Sequence, residues 1–304
     1  MDEAMNKQDE TAAPLEEIVS PQDEAVQGND RKFKIKRIIF FTLFGVFSAI
    51  FIFSAIYLMD YFLISSRNSK QYSGLSDNKM QISDFIANEP TDPDGELVID
   101  PEKEYPFDVN SPILPEYQSA YAENNDLIGW ISIEGTVIDY PVLYRPAEKD
   151  YYLHRNFYHE YEKRGPGAIY VREQCDPLAP SDNVVIYGHY KQDGSMFHDL
   201  HGYYYESFWR EHQYIQFDTI YERHTYEIVA VFKTDVAGEN FFPYHRFNDA
   251  KDEAEFNDFV ETVKRMSFYD TDVDAEYGDK LITLSTCEYT LTEGRLVVVA
   301  KQIS

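Results

Sequence analysis

Residues 280 to 303 read Lys280-Leu281-Ile282-Thr283-Leu284-Ser285-Thr286-Cys287-Glu288-Tyr289-Thr290-Leu291-Thr292-Glu293-Gly294-Arg295-Leu296-Val297-Val298-Val299-Ala300-Lys301-Gln302-Ile303. Two runs dense in β-branched and apolar residues flank the turn-forming Thr292-Glu293-Gly294, which predicts an antiparallel hairpin. Six earlier runs carry the same signature: IGWISIEG (128–135), VIDYPVLY (137–144), GAIYVRE (167–173), NVVIYGHY (183–190), YIQFDTIY (214–221) and TYEIVAVFKT (225–234). Each is bounded by Gly, Pro, Asp or Asn. Eight short strands predict a mostly β domain, closed as a barrel or stacked as a sandwich. Short helices are expected at Tyr117 to Asn124 and Phe208 to His212. A longer one is expected from Asp252 to Met266, where Phe256, Phe259, Val260 and Val263 recur at helical spacing.

Before this domain the composition changes twice. Residues 1–37 open with an acidic, Gln- and Ala-rich tail too poor in apolar residues to offset the entropy of ordering it. They end in the basic cluster Arg31-Lys32-Phe33-Lys34-Ile35-Lys36-Arg37. The uncharged apolar segment 38–59 would span roughly 33 Å as a helix at ~1.5 Å per residue, enough to cross a bilayer. Basic residues ahead of it place the N-terminus in the cytoplasm and the rest of the chain outside. A signal peptide shares the basic start but has a shorter apolar core ending in small residues, whereas bulky Tyr57, Leu58, Met59, Tyr61 and Phe62 close this one. Residues 60–113 run polar, acidic and proline-bearing, as an exposed stalk would. The expected globular domain is 114–304, sized for a single core.

The chain carries 54 acidic against 27 basic residues, a formal charge of -27. That balance argues against a nucleic-acid partner, which needs clustered Lys and Arg. Neither cysteine has a CxxC partner and the histidines form no HExxH or HxH spacing, so no metal and no cofactor is expected. The dense carboxylates at 248–261 and 270–279 read as solvated faces. Cys175, in a loop-like REQCDP stretch, has surroundings unlike those of Cys287, which gives no disulfide framework.

Three residues at strand ends can carry chemistry. Cys287 closes the 281–286 run where core gives way to solvent, a fitting place for a nucleophile, although a strand-end cysteine also serves as a small buried hydrophobe. His189 ends Val184-Val185-Ile186-Tyr187-Gly188 and can exchange protons near neutral pH, or be a hydrogen-bonded structural histidine. Arg295 opens the last strand, and the hairpin brings it near Cys287. There its guanidinium would donate to a developing oxyanion and favour a thiolate; the plain alternative is a surface ion pair with Glu288 or Glu293.

Over 114–304 the chain resembles the sortase family, through TLSTC at 283–287, the arginine eight positions on leading into LVVVAK, and YGHY followed by GSMF. The N-terminal anchor, the helix before the first strand, the helix between the sixth and seventh strands, DYYLHRNF and GAIYV resemble class B. The resemblance implies an eight-stranded sortase-type β-barrel with peripheral helices, preceded by one N-terminal transmembrane helix. It implies a cysteine transpeptidase that cleaves a C-terminal sorting signal after Thr, through a Cys287 thioester, with Arg295 steadying the oxyanion and His189 moving protons. The implied partners are secreted proteins with an Asn-Pro-x-Thr-like signal, a peptidoglycan amine and the membrane. Ser285, Glu288, Leu153, Phe241 and Phe242 match or flank substrate-contacting positions. Tyr289 departs from class B members with an acidic residue there. Pilin polymerisation, hydrolysis of the thioester and a non-catalytic membrane-tethered binding protein remain alternatives.

Overall fold

Among the described residues, eight strands close on themselves: β1 (Leu127–Ser132), β2 (Asp139–Leu143), β3 (Ile169–Val171), β4 (Asn183–Tyr187), β5 (Tyr214–Thr219), β6 (Thr225–Thr234), β7 (Leu281–Glu288) and β8 (Gly294–Gln302). The computed structural model describes residues 21–93, 95, 97–163, 165–235, 241–288 and 294–304, with side chains from residue 32 on, that of 288 excepted. The neighbours run β1-β2-β3-β4-β7-β8-β6-β5, and β1 pairs with β5 to shut the barrel. A barrel leaves no open edge, which suits strands whose residues, such as Val297 to Ala300, are buried in sequence.

Two pairs are parallel, β2 with β3 and β4 with β7. Parallel neighbours need a crossing connection, and the one between β4 and β7 holds α3 (Glu206–Glu211), β5, β6 and α4 (Glu253–Met266). Asp252 caps α4 by accepting from Glu255 N–H at 3.0 Å, and the expected face of Phe256, Phe259, Val260 and Val263 is buried. The helix α2 (Pro115–Glu123) stacks Tyr117 on Trp130, with centroids 6.0 Å apart and planes 9° apart.

The helix α1 runs from Pro21 to Ala87, and its residues divide between two compact units, the first ending in sequence at Asp60 and the second beginning at Tyr61. Within the first, the side chains of 38–59 are nearly all exposed. It holds the apolar part of the one described helix long and apolar enough to cross a membrane. In the second unit the structure corrects the expectation of an exposed stalk. Residues 61–87 lie on the barrel with Tyr72, Leu75 and Ile82 buried. Tyr72 donates to the Gly167 carbonyl at 3.0 Å and sets its ring edge-on to Tyr140. Ser76 and Lys79 both donate to the Asp139 carboxylate, and Asn68 Nδ2 donates to Glu162 Oε2 at 2.8 Å. The stretch looks polar because much of what holds it is polar: barrel carboxylates bonded to helix donors, with only three buried apolar anchors among them. The described residues of 88–113 are mostly exposed.

Candidate active site

The parallel β4–β7 ladder ends at Tyr187 opposite Ser285, and Gly188 N–H then donates to the Ser285 carbonyl at 3.2 Å. His189 follows two residues after that last pair, as Cys287 follows Ser285. On the other side, β7 and β8 pair Cys287 with Arg295. Because Ser285 turns its carbonyl toward β4, the odd positions of β7 face β4 rather than β8. Cys287 and Arg295 are therefore a non-hydrogen-bonded pair, the type with Cα atoms only about 4.5 Å apart and side chains closest. Register thus fixes Cys287 against Arg295, whereas His189 lies past the end of the β4–β7 ladder. All three line a cleft of about 340 Å³.

His189 Nε2 lies 2.7 Å from the Leu153 carbonyl. A carbonyl only accepts, so Nε2 carries the hydrogen and Nδ1 is the basic nitrogen of the neutral ring. Burial, aided by the electrostatic influence of Lys191, His154 and Arg295, depresses the His189 pKa below 6.5 against the opposing bond to Leu153. The His154 ring lies parallel to it at 6.2 Å. Gly188 is required by close approach: a Cβ would meet Ile169 Cδ1 at 2.5 Å and Phe197 Cδ2 at 2.6 Å. Both cysteines are free thiols, Cys287 half-buried and Cys175 buried. Arg295 Nη1 donates to its neighbour's carbonyl, Gly294, at 2.9 Å. Among the described residues no group of three or more His, Cys, Asp or Glu is arranged to hold a metal ion.

A family model for the Sortase domain matches residues 131–303, more than half of the chain. The chain belongs to the sortase family. Sortase B of Staphylococcus aureus (strain NCTC 8325 / PS 47) is 33% identical over 193 residues, which span 63% of this sortase and 76% of that protein. Sortase B of Listeria monocytogenes serovar 1/2a is 33% identical over 198 residues, 64% of this chain and 77% of that one. A solved Staphylococcus aureus sortase B–substrate complex superposes with a TM-score of 0.64 at 26% identity, covering 80% of this chain and 99% of that chain. This sortase is a class B cysteine transpeptidase on the eight-stranded closed barrel that the resemblance implies.

The other expected contact positions divide. Leu153 and Phe241 line the cleft, Phe241 exposed and Leu153 also holding His189. Phe242 lines it too, but its ring packs on Phe259 and Phe232 at 6.0 Å from each and so belongs equally to the core. Ser285 is buried, with its Oγ 2.7 Å from Tyr244 Oη. Glu288 ends β7, and its side chain lies outside the described residues, as does Tyr289. Sequence reasoning passed over Tyr244. Its one signal was the polar Ser285 within an apolar strand, which needs a buried partner.

Proposed function

We propose that this sortase is anchored by residues 38–59, with its N-terminal tail in the cytoplasm and its catalytic domain outside. It cuts secreted proteins after the threonine of an Asn-Pro-x-Thr-type signal and passes them to a peptidoglycan amine. What supports this most is that His189, Cys287 and Arg295 line one cleft, with Cys287 paired to Arg295 across β7 and β8. The Cys287 sulfur attacks the threonine carbonyl as its proton passes to His189. The resulting oxyanion is met by the Arg295 guanidinium, which stays charged at any relevant pH. When the C–N bond breaks, His189 gives that proton to the leaving amine and a thioester remains. An acceptor amine then attacks the thioester, His189 takes its proton, and the Cys287 sulfur leaves to be reprotonated. A depressed pKa keeps the His189 ring neutral, and so able to accept each proton, at neutral pH. Leu153, Phe241, Ser285 and Glu288 would contact the signal.

The test is intact-mass spectrometry of the full-length chain in detergent after incubation with peptides carrying Asn-Pro-x-Thr or Leu-Pro-x-Thr signals. An adduct on Cys287 that disappears on adding an amine supports transpeptidation. A protein that cleaves peptide in the Cys287→Ala form would sink the mechanism. Retention in the pellet after alkaline extraction of membranes checks the anchor.

A further inference from the structure

Cys287 lies beyond the last β4–β7 pair, so its strand has lost its parallel neighbour at the residue whose placement matters most. The Ser285 carbonyl is taken by Gly188 N–H on the β4 side, and alternation along a strand turns the Cys287 carbonyl to the same side. The paired β4–β7 ladder ends at Tyr187 and Ser285, and the Gly188 N–H bond to Ser285 is the last one described from that side. His201 fills the gap, with Nε2 3.0 Å from the Cys287 carbonyl oxygen. Since that oxygen only accepts, Nε2–H is the donor.

The 3-10 helix His198–Tyr204 that carries His201 is also tied to the other strand end. Phe197 N–H, just before it, donates to the His189 carbonyl at 3.1 Å. Tyr190, the residue after His189, stacks on the His201 ring with centroids 4.0 Å apart and planes 21° apart. It stacks on His198 as well, at 4.9 Å and 19°.

We infer that His201 is a positioning residue for the sortase reaction: its hydrogen bond stands in for the missing strand at the Cys287 carbonyl, and its stack on Tyr190 couples that strand end to the one bearing His189. The described contact of His201 with Cys287 is to its backbone carbonyl rather than to the sulfur. It fixes the backbone from which Sγ projects, and small displacements of a reacting group lower the rate steeply. The inference rests on Cys287 and His189 being the catalytic pair proposed above.

The experiment compares His201→Ala, His201→Gln (which keeps an N–H donor) and His201→Phe (which keeps a flat ring) in the full-length chain in detergent. It uses whichever of the two signal peptides acylates the wild-type chain and normalises rates to titrated Cys287. We expect the Ala and Phe forms to lose about tenfold in kcat with KM changed less than about twofold, and Gln to recover to within about threefold of wild type. Loss of folded protein alone would lower the titrated sites and leave kcat per site unchanged. An Ala form with wild-type kcat per site, or a Gln form no better than Phe, overturns the assignment. A wild-type chain that forms no adduct with either peptide, or a Cys287→Ala form that turns over, overturns the catalytic reading itself and His201 with it.

Discussion

The two thiols of this domain sit in opposite environments and should behave oppositely. Cys175 is 1% exposed, accepts from Val185 N–H at 3.4 Å and donates to Asn248 Oδ1 at 3.4 Å. Burial pushes its thiol up to about 11, so it forms little thiolate near neutrality. Cys287→Ala is expected to abolish thioester formation. Cys175→Ala should keep kcat per folded molecule while losing about 1–3 kcal/mol of stability, through the small cavity and the orphaned Val185 N–H. Peptide cleavage and thermal melts of both forms check this; a Cys175→Ala form that folds normally but is inactive would reverse the roles. His189 supplies a pH prediction. Its folded pKa lies below 6.5, so below that pH the unfolded chain binds the extra proton and stability falls as pH drops. His245 is depressed in the same direction, first by burial. His189→Asn should therefore lose less melting temperature than wild type between about pH 7.5 and 5.5; an equal loss in both would show that His189 contributes nothing to the slope. The three candidate catalytic residues could be picked out of the sequence because each lies at one end of a strand-like run, and the structure brings all three to one cleft. Tyr244 could not, because it lies in a 3-10 turn (Tyr244–Arg246) whose place over Ser285 is set by tertiary packing.

At the scale of elements, the β7–β8 hairpin and α4 announce themselves: one through β-branched runs about a turn, the other through an Asp cap and helical spacing. The helical segment 61–87 does not, since its attachment to the barrel is carried largely by Asp139 and Glu162, far away in sequence. Burial works to raise the Asp139 carboxyl, but the Lys79 ammonium, with Ser76 and Trp130 hydrogen bonds, outweighs it and holds the pKa below its usual value. Removing Lys79 leaves a partly buried carboxylate short of its cation. Lys79→Met is expected to cost about 1–3 kcal/mol and to speed proteolysis of the 88–113 segment beside it. Asp139 contributes stability above the ordinary carboxylate range and loses it as pH falls through its lowered folded value. The Lys79 variant should thus differ least from wild type in acid. A melt of Lys79→Met unchanged at neutral pH would show that the Lys79–Asp139 pair contributes nothing to holding the helix.

The whole molecule carries 25 tyrosines, and many are enclosed by the barrel and its surrounding elements rather than left on its surface. Tyr72, Tyr117, Tyr170, Tyr187, Tyr203 and Tyr226 are each pushed well above 10, with burial the largest cause in every case. Tyr117 is raised further by its bond to the Asp218 carboxylate at 2.6 Å. In the unfolded chain a phenol loses its proton near 10, while in the fold these keep theirs, so the unfolded state binds fewer protons above that pH and stability falls as pH rises. The sign is opposite to that of His189, which places the most stable range between the two. Because the six phenols are spread over α1, α2, β3, β4, β6 and the 3-10 helix His198–Tyr204, no single local opening can release them together. Alkaline unfolding should be one cooperative step in which a large rise in tyrosinate absorbance coincides with loss of far-ultraviolet circular dichroism. Smooth titration of nearly all the tyrosine absorbance near pH 10, with the barrel's circular dichroism intact, would mean that these side chains reach water without unfolding.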